Sequence, residues 1–135
     1  MVSFRPEITE NLAFIRKQSA QLASKLRYLS CQFIPYLSND LWLTNARRAN
    51  AQAEKLEQIL KQYPEIHFTQ KMESNQLFFT LPTEALRRLQ EEYFFYMWDE
   101  SKNEARLVTS WDTTDADIDR LAKSLEQCFA PAKGL

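Results

Sequence analysis

Glycine is almost absent from this sequence of 135 residues: Gly134, near the C-terminus, is the single one. Backbone that cradles a phosphate or a dinucleotide normally needs glycine, so that N–H groups can approach the ligand without a Cβ in the way. A Gly-rich loop, a P-loop and a dinucleotide fingerprint are therefore all excluded, and any cofactor phosphate must be cradled by other residues than these. Histidine is equally scarce. His67 stands alone, which rules out a His-based metal cluster or a His-containing triad; it reads as an edge-of-strand residue. Two cysteines, Cys31 and Cys128, each lie in a helical pattern among apolar or small neighbours. Both read as reduced, partly buried packing residues rather than a disulfide or a catalytic thiol. No apolar run approaches the roughly 20 residues that span a bilayer, and nothing at the N-terminus reads as a secretory signal. A soluble, cytoplasmic protein is the expectation. An excess of charge is missing too: 17 basic and 18 acidic residues leave a net −1. That balance removes the main reason to expect nucleic acid or an anionic membrane as partner.

What is present is apolar and aromatic substance, 44% and 13% of residues, ample for a packed core. Val2-Ser3-Phe4 resembles the end of a strand. Pro6, followed by Glu7 and Glu10, suits the first turn of a helix running to about Lys17. Ser19 starts a second helix, whose stripe is Leu22, Leu26, Leu29, Phe33 and Leu37, ended or kinked by Pro35. Another face of that helix carries Ala20, Ser24, Arg27 and Cys31 within about a quarter of its circumference. Arg27 there reads either as a snorkelling surface residue or as a guanidinium aimed at an anion or a partner subunit. A long helix follows from about Asp40 or Thr44 to Gln62, burying Ala46, Ala49, Ala53, Leu56 and Leu60, with Arg47 and Arg48 facing water and Pro64 as its stop.

Beyond Pro64 the texture turns β-rich. Strands are expected over Ile66–Thr69 and Gln76–Leu81, then a short helix from Thr83 to about Glu92, capped by Thr83. The aromatic run Tyr93–Trp98 and the β-branched run Ala105–Trp111 flank a polar hairpin turn, Asp99–Glu104. Thr113 or Thr114 caps the last helix, Thr114 with Asp117 forms a capping-box pattern, and Ile118, Leu121, Leu125 and Phe129 bury its inner face up to Pro131. The order predicts an α+β chain: N-terminal helices followed by a small antiparallel sheet with helices on one face. Residues 1–40 read as a strand end and helices that lean on something larger, and residues 41–135 as a small α+β domain.

Three features imitate functional sites. Asp115, Asp117 and Asp119 with Glu126 mimic a calcium loop, but Arg120 occupies the place that needs glycine, so they read as helix-start acids. The aromatic run could be a base-stacking platform, but its flanks are Glu91, Glu92, Asp99 and Glu100 rather than cations; it reads as a strand burying both faces, one of them toward another domain. Lys25 invites a Schiff-base reading, but shows neither a cause for a depressed pKa nor a phosphate cradle.

Three stretches together resemble the low-specificity threonine aldolases, pyridoxal-phosphate enzymes of the aspartate-aminotransferase-like fold. One is Arg16-Lys17-Gln18-Ser19-Ala20-Gln21-Leu22-Ala23-Ser24-Lys25-Leu26-Arg27-Tyr28, similar to the family's Arg-Lys…Lys-Met-Arg-Phe segment. The second pairs Asn45-Ala46-Arg47-Arg48-Ala49-Asn50-Ala51, the family's Ala-Asn-Ala helix, with Glu73-Ser74-Asn75-Gln76-Leu77-Phe78, its Glu-Ala-Asn-Met-Val-Phe-like strand. The third and most specific, Ala105-Arg106-Leu107-Val108-Thr109-Ser110, is similar to Val-Arg-Leu-Val-Thr-Ser/His. The family often has glycine where this chain has Ala20 and Gln21.

The resemblance covers nearly the whole chain but corresponds to the C-terminal third or so of a family member, the small C-terminal domain of fold-type-I pyridoxal-phosphate enzymes with some preceding helices. It implies a carbon–carbon lyase acting on threonine and allo-threonine, with pyridoxal 5′-phosphate as cofactor and a homo-oligomer, dimer or tetramer, as the complete enzyme. It further implies that Arg106 binds the substrate carboxylate and that Arg27 reaches the cofactor pocket. The lysine that forms the internal aldimine is expected upstream of Met1, in a large domain absent from this sequence, so no catalytic residue is assigned within the chain. Two other readings stand beside this one: an α+β interaction module without catalysis, and the same domain in another pyridoxal-phosphate lyase or aminotransferase.

Overall fold

The computed structural model describes residues 5–20 and 23–130; the expected strand end at Val2–Phe4, the stripe residue Leu22 and the helix stop at Pro131 lie outside them. Two compact units are present, with the division between Leu41 and Trp42.

The first unit holds four short helices, α1 (Pro6–Thr9), α2 (Leu12–Gln18), α3 (Leu26–Cys31) and α4 (Phe33–Leu37). The helix expected to start at Ser19 begins instead at Leu26. Ala20 sits at φ 53°, in the left-handed region that costs a non-glycine residue about 1–2 kcal/mol. This is the place where the resembled family often has glycine. Of the proposed small-residue face, only Arg27 and Cys31 share a helix. Pro35 falls inside α4, where its missing N–H is tolerated because the helix has barely begun. Described residues of these helices are not buried, and Phe14, Phe33, Ile34 and Leu37 are more than half exposed. Helices this short are marginal without a surface to pack on.

The second unit is built on α5 (Leu41–Leu60), β1 (His67–Phe68), β2 (Gln76–Thr80), α6 (Thr83–Glu92), β3 (Tyr96–Asp99), β4 (Glu104–Val108) and α7 (Asp115–Phe129). The four strands form one antiparallel sheet in the order β1-β2-β4-β3. Alternation along the strands sends Leu77, Phe79 and Ala105 to one face, where they form a single core with Ala53, Leu56 and Leu60 of α5, Leu86 and Leu89 of α6, and Ile118 and Leu125 of α7. All three helices thus cover the same face, which is the α+β arrangement expected from the sequence.

Several local devices follow from residue chemistry. Thr114 caps α7 by accepting from Asp117 N–H, and the Asp117 carboxylate accepts in return from Thr114 N–H, a complete capping box. α6 begins as expected at Thr83, but its cap residue is Pro82; the Thr83 hydroxyl accepts instead from Asn103 Nδ2 at 2.9 Å. In the β3–β4 hairpin, Asn103 takes the left-handed conformation at φ 53°, which asparagine tolerates better than most residues. Ala46, expected in the buried stripe of α5, is exposed, and Gln52 is buried in its stead.

The second and third of the stretches that carry the family resemblance meet at one point of the second unit. The buried Thr109 hydroxyl donates to the carbonyl of Ala49 at 2.8 Å. Asn75 Nδ2 donates to the Thr109 carbonyl at 2.6 Å, and Thr109 N–H donates back to the Asn75 carbonyl at 3.0 Å. The end of β4 is thereby tied both to the middle of α5 and to the start of β2.

Thr109→Val keeps the volume and removes the tie to α5, so it should lower stability by about 1–2 kcal/mol, whereas Leu77→Ala should cost about 3 kcal/mol by opening a core cavity; urea unfolding measures both. Lys55 at 2.5 Å and Gln52 at 2.9 Å hold the Asp115 carboxyl below its usual range. A carboxylate whose pKa is depressed on folding adds stability above its unfolded-state value, about 4, and loses it as pH falls through the lower folded value. Asp115→Asn should therefore flatten the acid-side decline of the urea midpoint while lowering the plateau near neutral pH.

Candidate functional site

The sheet face opposite the helices carries the other half of the strand alternation. β2 presents Gln76, Phe78 and Thr80 there, β4 presents Glu104, Arg106 and Val108, and β3 presents Tyr96 and Trp98. Tyr96, Trp98 and Val108 are each more than half exposed. The aromatic run thus buries one side only. Burial of both sides was expected, one of them toward another domain; within this chain Phe94, Tyr96 and Trp98 on the outer side are exposed.

Arg106 sits in the middle of this face. It pairs across the ladder with Phe78 on one side and Tyr96 on the other, so its side chain rises between two rings and is half-buried. Its Nε–H donates to Gln76 Oε1 at 3.0 Å. The guanidinium carbon lies 5.7 Å from the centroid of the Trp98 ring, within the range of a cation–π contact. Trp98 in turn meets Phe78 edge-on, with centroids 5.1 Å apart and planes at 77°.

The nearest acid on the same strand face, Glu104, is engaged elsewhere: it is buried, and its carboxylate accepts from the Thr69 hydroxyl. Among the described residues no carboxylate lies within ion-pair distance of Arg106. The arrangement is a fixed cation with donors to spare on an open face, which is what a carboxylate ligand requires.

Arg27 belongs to the first unit. It is exposed on α3, a helix of six residues, and forms no ion pair among the described residues. Lys25 is exposed in the turn before that helix. His67 is exposed at the start of the edge strand β1. Cys128 is half-buried, and burial pushes its thiol pKa up; Cys31 is exposed rather than partly buried, its thiol turned back to the Tyr28 carbonyl at 3.1 Å. Both cysteines are free. The calcium-loop imitation resolves into helix-start chemistry, with Asp115 on Lys55 and Gln52 and Asp117 in the capping box. Among the described residues no group of acids, cysteines or histidine could hold a metal ion, and no helix is long and apolar enough to cross a membrane.

Sequence reasoning singled out Arg106, but not Gln76 and Trp98, which stand beside it. The available signal was the alternation itself: Gln76 and Phe78 share a parity, and so do Trp98 and Tyr96. Which of these residues stand beside Arg106 depended on strand register.

Comparison with known proteins gives a consistent result. No family model matches the chain. It is 30% identical over 122 residues to a low-specificity L-threonine aldolase of a Pseudomonas species, and 29% identical over 122 residues to that of Pseudomonas aeruginosa. Each match covers 90% of this chain and 35% of the relative, so the chain spans about a third of the length of these relatives. Among solved structures, a threonine aldolase of Leishmania major superposes with a TM-score of 0.66 at 25% identity, over 71% of this chain and 29% of that one. The fold neighbours are fold-type-I pyridoxal-phosphate enzymes. In sequence and in fold, the chain is similar to about a third of a low-specificity threonine aldolase, and the match fits the C-terminal portion of such an enzyme.

Proposed function

We propose that this chain is the C-terminal portion of a pyridoxal-phosphate-dependent lyase that cleaves threonine and allo-threonine to glycine and acetaldehyde, and that Arg106 holds the α-carboxylate of the substrate. The observation that carries this reading is the half-buried guanidinium of Arg106, fixed by Gln76 and Trp98 with no acid beside it. A planar guanidinium meets a carboxylate through two parallel hydrogen bonds, which fixes the orientation of the Cα substituents as well as supplying attraction. In a retro-aldol cleavage that orientation decides which Cα bond breaks.

The residues described here do not by themselves form a cofactor site. Lys25 and Arg27 are exposed, and no described residue offers a glycine cradle for the phosphate. The cofactor, when bound, would supply an electron sink for the glycyl carbanion; holding it is assigned to residues of the rest of the protein, the Schiff-base lysine among them. Arg27 is assigned the role of a cation brought to the cofactor pocket from this side, near the phosphate or across a subunit boundary. The apolar exposure of the first unit and the aromatic sheet face agree with a protein whose larger part, and whose further subunits in a homodimer or homotetramer, cover them.

Two measurements test this. The isolated chain, incubated with pyridoxal phosphate and allo-threonine, should release no acetaldehyde above background; release, or an aldimine absorption band lost in Lys25→Ala, would refute the assignment of the lysine. In the complete protein, Arg106→Lys should lower kcat/KM for threonine by about 100-fold, largely through KM, because the bidentate fork is lost while the charge remains. Unchanged kinetics would refute the role of Arg106.

A further inference from the structure

We infer that Gln76 is a positioning residue for Arg106 and commits its guanidinium to an end-on grip, in which both terminal nitrogens hold the substrate carboxylate. This rests on the carboxylate role proposed for Arg106 above. A free guanidinium offers a carboxylate two kinds of bidentate edge. The lateral edge is made of Nε and a terminal nitrogen; the end is made of the two terminal nitrogens.

In this structure Gln76 Oε1 accepts from Nε at 3.0 Å, so the lateral edge lacks its inner donor. Trp98 lies against the guanidinium at 5.7 Å and is itself propped by the edge of the Phe78 ring. One edge and one face are therefore occupied by this chain's own side chains, and the end remains. The rotamer freedom that an arginine surrenders on binding a ligand is surrendered here in advance, which favours capture.

Glutamine suits this task for an electrostatic reason. Its amide oxygen accepts the Nε–H bond without bringing a charge, so the full positive charge stays available to the ligand. A glutamate at position 76 would hold the side chain equally well but cancel its attraction. The family-like strand described above carries methionine at this place, and a thioether is only a weak acceptor. Gln76 and Phe78 also project from the same strand face two residues apart. One short segment, β2, thus supplies both the hydrogen bond and the prop behind Trp98, while β3 supplies the ring.

The test uses the 135-residue chain with nitrogen-15-labelled arginine, observed by NMR, with acetate and glycine as carboxylate probes. The Arg106 signals are identified by their loss in Arg106→Lys. The Arg106 Nε–H should exchange with water about tenfold more slowly in the native chain than in Gln76→Met. Acetate and glycine should shift the terminal-nitrogen signals while leaving the Nε–H protected, and Gln76→Met should weaken that response several-fold. Gln76→Glu should keep the slow Nε–H exchange yet lose the acetate response, a split that a merely structural role for Gln76 would not produce. If Gln76→Met fails to fold, the Gln76→Glu split decides alone.

Three outcomes would overturn the inference. Gln76→Met could match the native chain in both readouts, Gln76→Glu could bind acetate as well as the native chain does, or acetate could displace Gln76 and move the Nε–H signal itself, which means a lateral grip. If the native chain keeps its slow Nε–H exchange but no probe moves any Arg106 signal, the carboxylate role itself fails and takes this inference with it. That pattern is distinguishable from the other three, because in each of them Arg106 responds to the probe.

Discussion

The hydroxyl of Thr109, donated to the carbonyl of Ala49 and backed by the reciprocal bonds with Asn75, is the constraint on which the site depends. Side chains alternate strictly along a strand, so a slip of one residue in β4 would carry Arg106 into the core and bring Ala105 and Leu107 out of it. The Thr109 contacts hold the end of β4 against both a helix and a neighbouring strand. Register is then set by hydrogen bonds at one end of the strand and by hydrophobic burial along it. Ala49, Asn75 and Thr109, from the second and third of the resembling stretches, are thus partners in one structural tie, and Arg106 stands half-buried on β4 three positions before Thr109.

The carboxylate role proposed for Arg106 rests on what surrounds it as well as on its charge. An exposed ion pair in water contributes about 0–1 kcal/mol, a weak grip that a carboxylate probe fills only when supplied in excess. The same pair gains strength as the local dielectric falls. On its own sheet face Arg106 has aromatic rings on two sides, and Tyr96 and Trp98 are largely exposed to water. A covering surface would exclude that water and strengthen the grip. The chain spans about a third of the length of the aldolases it matches.

Much of the fold was legible before any coordinates. α7 could be read in detail because each of its signals is local: a capping threonine, an aspartate three residues on, and apolar residues spaced by three and four. α6 and β2 were equally clear, for their alternation or periodicity lies within a few residues. The N-terminal helices were misread where a local rule met a local exception. Apolar periodicity predicted an unbroken helix from Ser19, and Ala20 breaks it by adopting a left-handed conformation that its side chain disfavours. The aromatic run meets a different limit. Hydrophobicity says that a ring prefers burial, but not whether the surface that buries it belongs to the same chain.

From sequence alone came the scarcity of glycine and histidine, the family likeness, the α+β order and the choice of Arg106. All of these depend on residue identity or on spacing along the chain, which local sterics and hydrogen bonding translate directly into structure. Tertiary structure alone decided that Gln76 and Trp98 flank Arg106, that Glu104 turns to Thr69 instead, and that Asn75, Ala49 and Thr109 meet. Those partners are separated by up to sixty positions. Their meeting follows from strand register and helix packing, which are cooperative outcomes of the whole core and leave no mark in any single stretch of residues.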